Sequence, residues 1–341
     1  MNKIMKSKLL ICMLLCGSLM FGTFGCSMLG DVAMEETTTD EDSDLIVVGF
    51  SQLGSESVFR TANTASVQGT LTKENGYFLI FENARQKQEN QIKSIRSFIS
   101  QQVDYIIFSP VTTEGWETVL QEAKDAGIPV ILVDRMVSVT DQSLYTTWIG
   151  SNFEEEGENA GKWLEEHLKK ENRDQEQINI VVLQGTMGSS AKIGRSIGFD
   201  SVAEQNQNWN ILAQENGEFT TAKGKEVMET MIRKYDDIDV VVSQNDDMTF
   251  GAIEALEASG RKVNVDGGTI MISFDAVREA LNMVKEGTIS VDVECNPLQG
   301  EYISRVIQQL ENGEEVEKAY YVDEMVFTQE NVEEYLDNRQ Y

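Results

Sequence analysis

The chain has 341 residues, with 57 Asp+Glu against 28 Lys+Arg, a formal net charge of −29 and one histidine. So acidic a surface repels nucleic acid and anionic lipid headgroups, and no basic stripe offsets it. The lone His167 excludes a two-histidine zinc site and is a poor basis for a Ser-His-Asp triad.

The first element is a leader. Lys3, Lys6 and Lys8 precede an almost unbroken apolar run over residues 9–24, which closes on Gly25-Cys26. The run is shorter than the ~20 residues of a bilayer-spanning helix. It predicts a lipoprotein signal over residues 1–25, cleaved before Cys26, with lipid on that thiol and the body held outside the cytosol. Thr23 departs from the Leu-like residue usual in such signals, and an uncleaved anchor helix is the alternative. Cys12 and Cys16 leave with the leader, so Cys295 has no partner for an internal disulfide. What remains exceeds the ~250–300 residues at which one core stops growing, so two lobes are expected.

Residues 26–44 are Thr-, Glu- and Asp-rich without apolar periodicity and read as a tether. β-branched runs then recur at residues 45–50, 77–81, 105–108 and 130–133. After a break they resume at 178–183, 210–213, 240–243, 269–274 and 289–293. Amphipathic helical segments lie between them, over 88–102, 114–126, 152–170, 223–234 and 250–259. Gly127-Ile-Pro129 and Gly260 mark helix ends. His167 sits in a charge-rich helical stretch and reads as part of a solvated face, and Trp148 reads as packing between lobes. Apolar strands alternating with helices predict an α/β fold of two doubly wound parallel-sheet lobes, separating near Trp148-Ile149-Gly150.

Ligands on such sheets bind at the carboxyl ends of the strands. The residues there are Ser51 to Arg60, Asp134-Arg135, Gln184-Gly-Thr186, Gly217-Glu-Phe219, Gln244-Asn-Asp-Asp247, Asp275 and Glu294. No nucleotide loop and no nucleophile elbow occurs, and Gly185-Thr-Met-Gly188 is weak as a phosphate loop. Asn245-Asp-Asp247 lacks the alternating oxygen ligands of a calcium loop. Asp, Glu, Asn, Arg and Phe at strand ends suit a polyol, with polar groups for its hydroxyls and aromatic faces for its C–H side.

Four segments carry a resemblance. They are Val48-Gly-Phe-Ser-Gln-Leu-Gly-Ser-Glu-Ser57, Arg85-Gln-Lys-Gln-Glu-Asn-Gln-Ile-Lys93, Gly224-Lys-Glu-Val-Met-Glu229 and Gln244-Asn-Asp-Asp-Met248. Over residues 45–341 the chain resembles the ribose/galactose-type sugar-binding proteins of bacterial ABC importers, and within them the galactofuranose subgroup. The resemblance implies the type I periplasmic-binding-protein fold with a three-crossing hinge near Ile149, Cys295 and Tyr321-Val322. One lobe would take residues 45–148 and 295–321, the other 149–294 and 322–341. It implies a ligand site of Phe59, Arg60, Asp134, Arg135, Arg195, Phe219, Asn245, Asp275 and Glu294, with Ser55, Glu56 and Gln184 as secondary candidates. Phe59 and Val58 stand where that subgroup carries tryptophan and glycine, which bears on the choice of sugar. No cofactor and no metal is implied. The expected partners are a monosaccharide (galactofuranose or a related hexose or pentose), an ABC permease with its separate ATPase, and the membrane through lipid alone, with the protein a monomer.

Three rival functions share parts of this pattern. A sugar sensor serving a chemoreceptor or histidine-kinase ectodomain is the alternative the sequence leaves open. A repressor needs a helix-turn-helix before Leu45, where the chain is acidic and non-helical. A glycoside hydrolase would need Glu294 and Asp275 paired across a scissile bond at ~5–9.5 Å.

Overall fold

The computed structural model describes residues 44–263 and 267–341; the predicted leader, Cys26 and the tether to Ser43 lie outside the described residues. Among the described residues no helix is long and apolar enough to cross a membrane.

The first sheet contains β1 (Ile46–Gln52), β2 (Tyr77–Asn83), β3 (Tyr105–Phe108), β4 (Val130–Val133), β5 (Thr147–Gly150) and, from far along the chain, β11 (Ala319–Tyr321). Its order is β11-β5-β4-β3-β1-β2, every pairing parallel. Alternation along the strands sends successive side chains to opposite faces, so both faces must be covered. On one, Ile106, Phe108, Val130 and Leu132 pack with Ile95 and Phe98 of α2 (Gln88–Gln101) and Val119 and Leu120 of α3 (Glu117–Asp125). On the other, Val48, Phe50, Ile107 and Ile131 pack with Val67 of α1 (Val58–Thr70) and Ile303, Val306 and Ile307 of α9 (Gly300–Glu311).

The second sheet repeats the plan. Its strands are β6 (Ile178–Gln184), β7 (Trp209–Asn216), β8 (Val240–Ser243), β9 (Ile270–Asp275), β10 (Val291–Glu294) and β12 (Val326–Phe327). The order is β12-β10-β9-β8-β6-β7, parallel except for the edge strand β12. Ile180, Val182, Val242 and Ile272 face α4 (Phe153–Lys170) and α5 (Ser190–Ala203). Val181, Val241 and Met271 face α6 (Thr221–Lys234), α7 (Asp246–Ala258) and α8 (Arg278–Glu286), with the short α10 (Glu333–Leu336) closing that side. These are the two lobes of a type I periplasmic-binding-protein fold.

The chain passes between the sheets after β5, after β10 and after β11. The first passage falls later than the sequence suggests. Residues 147–150, read as the crossover, form β5 and pair with β4 and β11, so Ser151 is the first residue beyond the sheet. Trp148 likewise does not bridge the lobes: it packs edge-on to Tyr321 within the first, ring centroids 5.4 Å apart. Helix α7 begins four residues earlier than its apolar period indicates, because the Asn245 side chain caps it by accepting the Met248 N–H at 3.0 Å. His167 is half-buried rather than fully solvated, stacked on Trp163 one helical turn away.

Helices α4 and α5 approach until backbone meets backbone. A Cβ on Gly198 would stand 2.0 Å from the Glu154 carbonyl oxygen, and one on Gly157 would stand 2.3 Å from that of Arg195. This seam fixes where Arg195 and Glu156 point. Gly198→Ala is expected to cost about 2–3 kcal/mol and lower the melting temperature by roughly 4–10 °C. Gly69→Ala, whose added carbon meets nothing within 4 Å on helix α1, should leave it unchanged or slightly raised. Thermal unfolding of the two variants checks the seam.

Candidate functional site

Both sheets aim their carboxyl ends at one cavity. From the first lobe come Glu56, Ser57, Phe59, Arg60, Asp134 and Arg135. From the second come Phe153, Ala191, Arg195, Phe219, Asn245 and Asp275, and Cys295 enters on the second passage. The cavity left among these side chains is small, about 20 Å³. The lobes are closed on each other. Across the cleft the Val58 N–H donates to Asp247 Oδ2 (3.0 Å), the Met136 N–H to Ser190 Oγ (2.9 Å) and the Thr113 N–H to the Gly188 carbonyl (2.8 Å).

The first-lobe wall is built on an ion pair. Ser57 caps α1 and sets its first turn, which carries Phe59 and Arg60. Arg60 Nη2 donates to Asp134 Oδ2 at 2.6 Å, and the Ser109 hydroxyl donates to the same oxygen at 3.2 Å. Burial would lower the Arg60 pKa, but Asp134 and Glu56 outweigh it and raise it. Asp134 itself holds φ at 60°, and the Trp148 indole N–H donates to its carbonyl at 3.0 Å. Among the described residues Arg135 forms no ion pair, though Asp134 and Glu56 lie near enough to favour its charge. It donates to the Val111 carbonyl at 3.1 Å, and its guanidinium lies 5.2 Å from the centre of the Phe219 ring. Burial, then the neighbouring Arg60, brings its pKa down to about 10. The Arg85 to Lys93 motif serves this wall indirectly. Gln91 is buried, donating to the Ser109 carbonyl at 2.7 Å and accepting from the Val111 N–H at 3.0 Å.

The second-lobe wall centres on Arg195. Its Nε donates to Glu156 Oε2 at 2.5 Å, Nη1 to the Gln244 carbonyl, and Nη2 to Asp275 Oδ1 at 3.4 Å. Burial opposes its charge, but Glu156, Cys295 and Asp275 together raise its pKa. Asp275 is driven well above the carboxylate range by burial, Arg195 notwithstanding. Phe219 sits over Gly185, where a Cβ would come within 1.8 Å of the ring. The glycine that hinted at a phosphate loop is there for close approach of that ring. Phe219 (φ 59°) and Asp275 (φ 106°) join Asp134 in the left-handed region, which costs about 1–3 kcal/mol at each non-glycine position.

The structure gathers all the main sequence candidates except Glu294, and Glu56 with them. Glu294 faces away: it is bonded by Arg339, by the Tyr341 hydroxyl at 2.8 Å and by the Met325 N–H at 3.0 Å. The pleat explains this, because one residue along a strand reverses the side chain, and it is Cys295 that turns to the cavity. The hydrolase pairing of Glu294 with Asp275 across this cavity therefore has no geometry. Ser55 is exposed, and Gln184 is spent on Ser196 and Gln214, neither lining the cavity. Phe153 and Ala191 were not among the sequence candidates, Ser57 lay in the Ser51–Arg60 segment without being singled out, and Cys295 was expected at the hinge rather than in the cavity. Their signal was position alone, beside helix starts and the second passage.

A closed cleft between two doubly wound lobes, lined from both by buried charge and aromatic rings, defines a binding protein that encloses a small polar solute. Residues 48–315 match the periplasmic binding protein domain family, and the chain belongs to it. It is 41% identical over 255 residues to the galactofuranose-binding protein of Escherichia coli (strain K12), covering 74% of this chain and 78% of that one. A Mycobacterium smegmatis protein solved with β-D-fucofuranose is 42% identical with a TM-score of 0.82, covering 87% of this chain and 95% of that one. The binding component of an arabinose ABC transporter from Shewanella sp. ANA-3, solved with L-arabinofuranose, is 39% identical with a TM-score of 0.80, covering 86% and 95%. These relatives are solute-binding proteins, not enzymes.

Asp247, which accepts the cross-cleft bond from Val58, gives a pH test of closure. Burial raises its pKa from 3.8 to about 6, with the Val58 N–H and Thr221 acting against the shift and Glu56 and Glu279 adding to it. Between those values the folded protein holds a proton that the unfolded chain has released. Its contribution to stability is therefore greatest below about pH 4, falls as pH rises through about 6, and is flat above. The loss is on the order of 2 kcal/mol after allowance for partial exposure. Asp247→Asn, of equal size and always neutral, should remove this decline. Denaturant unfolding of both proteins from pH 4 to pH 8 should show the gap opening between 4 and 6.5. Parallel curves would mean that Asp247 titrates normally in the closed protein.

Proposed function

We propose that the protein captures one monosaccharide in furanose form, closes its lobes over it and, as a monomer anchored outside the cytosol by lipid on Cys26, delivers it to an ABC permease with a separate ATPase. The observation that carries this reading is a set of unsatisfied polar atoms around the cavity. Glu56 Oε2, Arg60 Nε and Arg135 Nε are buried with no hydrogen-bond partner among the described residues, although Arg60 Nε lies within ion-pair range of Glu56 Oε1 at 3.5 Å. Each such atom costs about 1–3 kcal/mol unpaired. A polyol supplies what they lack, since a hydroxyl accepts from guanidinium and donates to carboxylate. Phe59, Phe153 and Phe219 offer faces for its C–H side.

Size argues the same way. The closed walls leave room for about one water, so a sugar enters only with the lobes parted and then holds the walls slightly further apart. Because the ligand touches both walls only in the closed form, its binding energy favours closure. The furanose ligands of the two solved relatives support a five-membered ring, and the ABC transporter to which the Shewanella relative belongs supports delivery over sensing.

Calorimetric titration with galactofuranose, L-arabinose, D-fucose, D-ribose and D-galactose tests the reading, with melting temperature as the second readout. One saturable sugar, micromolar or tighter, with a raised melting temperature is expected. No response across the panel overturns it. Asp134→Asn keeps the shape but loses the charge facing Arg60, and should weaken that sugar about 100-fold or more. Undiminished affinity would remove Asp134 from the site.

A further inference from the structure

The three passages between the lobes meet side chain to side chain. Ser151 follows β5, Cys295 follows β10 and Glu324 follows β11, and Glu156 joins them from the first turn of α4. The Ser151 oxygen lies 3.2 Å from the Cys295 sulfur and its hydroxyl donates to Glu324 Oε1, which also accepts the Asn296 N–H at 2.9 Å. One ligand atom each from Glu156, Cys295 and Glu324 lie within 4.8 Å of one another. Glu156 is 2% exposed, and while Arg195 occupies its Oε2, its Oε1 lies beside the Cys295 thiol with no well-formed hydrogen bond among the described residues.

We propose that Glu156, Cys295 and Glu324 bind a thiophilic divalent cation of the zinc class, joining the three passages at one point. A thiolate and two carboxylates are ligands for such an ion at ~2.3 Å and ~2.0–2.2 Å, with a fourth position left for Ser151 or water. Calcium would want six to eight oxygens and no sulfur. The outer contacts are those that orient ligating carboxylates: Arg195 grips the far oxygen of Glu156, and the Asn296 N–H grips Glu324. Access is from the outer side of the hinge. A groove reaches both Glu156 and Glu324, and the exposed Glu155 and Asp323 line it as well, so it concentrates cations. As the metal–sulfur bond forms, the Cys295 proton leaves to water, so binding releases acid. No sequence motif announces this set, because its members are scattered over nearly half the chain and include no histidine. The site does not rest on the sugar reading.

Cobalt(II) titration of the full chain tests it. Thiolate-to-cobalt charge-transfer absorption should saturate with one tightly held ion per chain, be abolished by added zinc and be accompanied by proton release. Cys295→Ser should remove that band, which separates its thiol from those of Cys12, Cys16 and Cys26. Glu324→Gln keeps the sulfur and should weaken binding about ten-fold or more. Absence of the band at millimolar cobalt, a band that persists in Cys295→Ser, or unchanged affinity in Glu324→Gln would each overturn the proposal. Circular dichroism of each variant confirms that folded proteins are compared.

Discussion

The second lobe's half of the cleft hangs on one buried guanidinium. Arg195 ties α4 through Glu156, the end of β8 through the Gln244 carbonyl and the end of β9 through Asp275. It lies 4.9 Å from the Phe274 ring centre and 5.5 Å from that of Phe153. Burying so many charges is costly unless each is paired, and removal of one partner typically costs 3–5 kcal/mol. The cost is accepted here because the arrangement fixes geometry. Arg195 can reach all three partners only because Gly157 and Gly198 let α4 and α5 touch.

The first lobe solves the same problem differently. Arg60 and Asp134 neutralise each other, whereas Arg135 forms no ion pair among the described residues and leans on the Phe219 ring of the opposite lobe. Its charge is stabilised across the cleft, by an aromatic face now and by ligand oxygens when they arrive. Parting the lobes returns Arg135 to water, which is no great loss for a cation.

Most of this was legible in the sequence, for an identifiable reason. Strand ends on doubly wound sheets are chemically distinctive, because an apolar run stops at Asp134-Arg135 or at Asp275 with no structural need for charge. What was not legible depended on a single residue's phase or on long-range contact. Glu294 and Cys295 are neighbours, and only the pleat decides which one faces the cavity. Residues 147–150 read as a connection because their partner strand, Ala319–Tyr321, lies some 170 positions away and short edge strands have no period to detect. Backbone strain was equally hidden: nothing in Asp134, Phe219 or Asp275 as residue types announces a positive φ. Such strain, once found, points back to function, since it persists only where the surrounding contacts over-determine it.

The hinge and the cavity are joined through the Glu156–Arg195 pair, Glu156 lining the hinge groove and Arg195 the cavity, so they are not energetically independent. A group that withdraws electron density from Glu156 on the hinge side weakens its hold on Arg195. The freed guanidinium then has more to offer Asp275 and any oxygen in the cavity. Conversely, a ligand that draws Arg195 toward the cavity leaves Glu156 more basic and a better partner for a cation or a proton from behind. Linkage requires the two effects to be equal in free energy. Because all three passages contribute a side chain to the same cluster, whatever binds there acts on the joint about which the lobes must turn, rather than on either lobe alone.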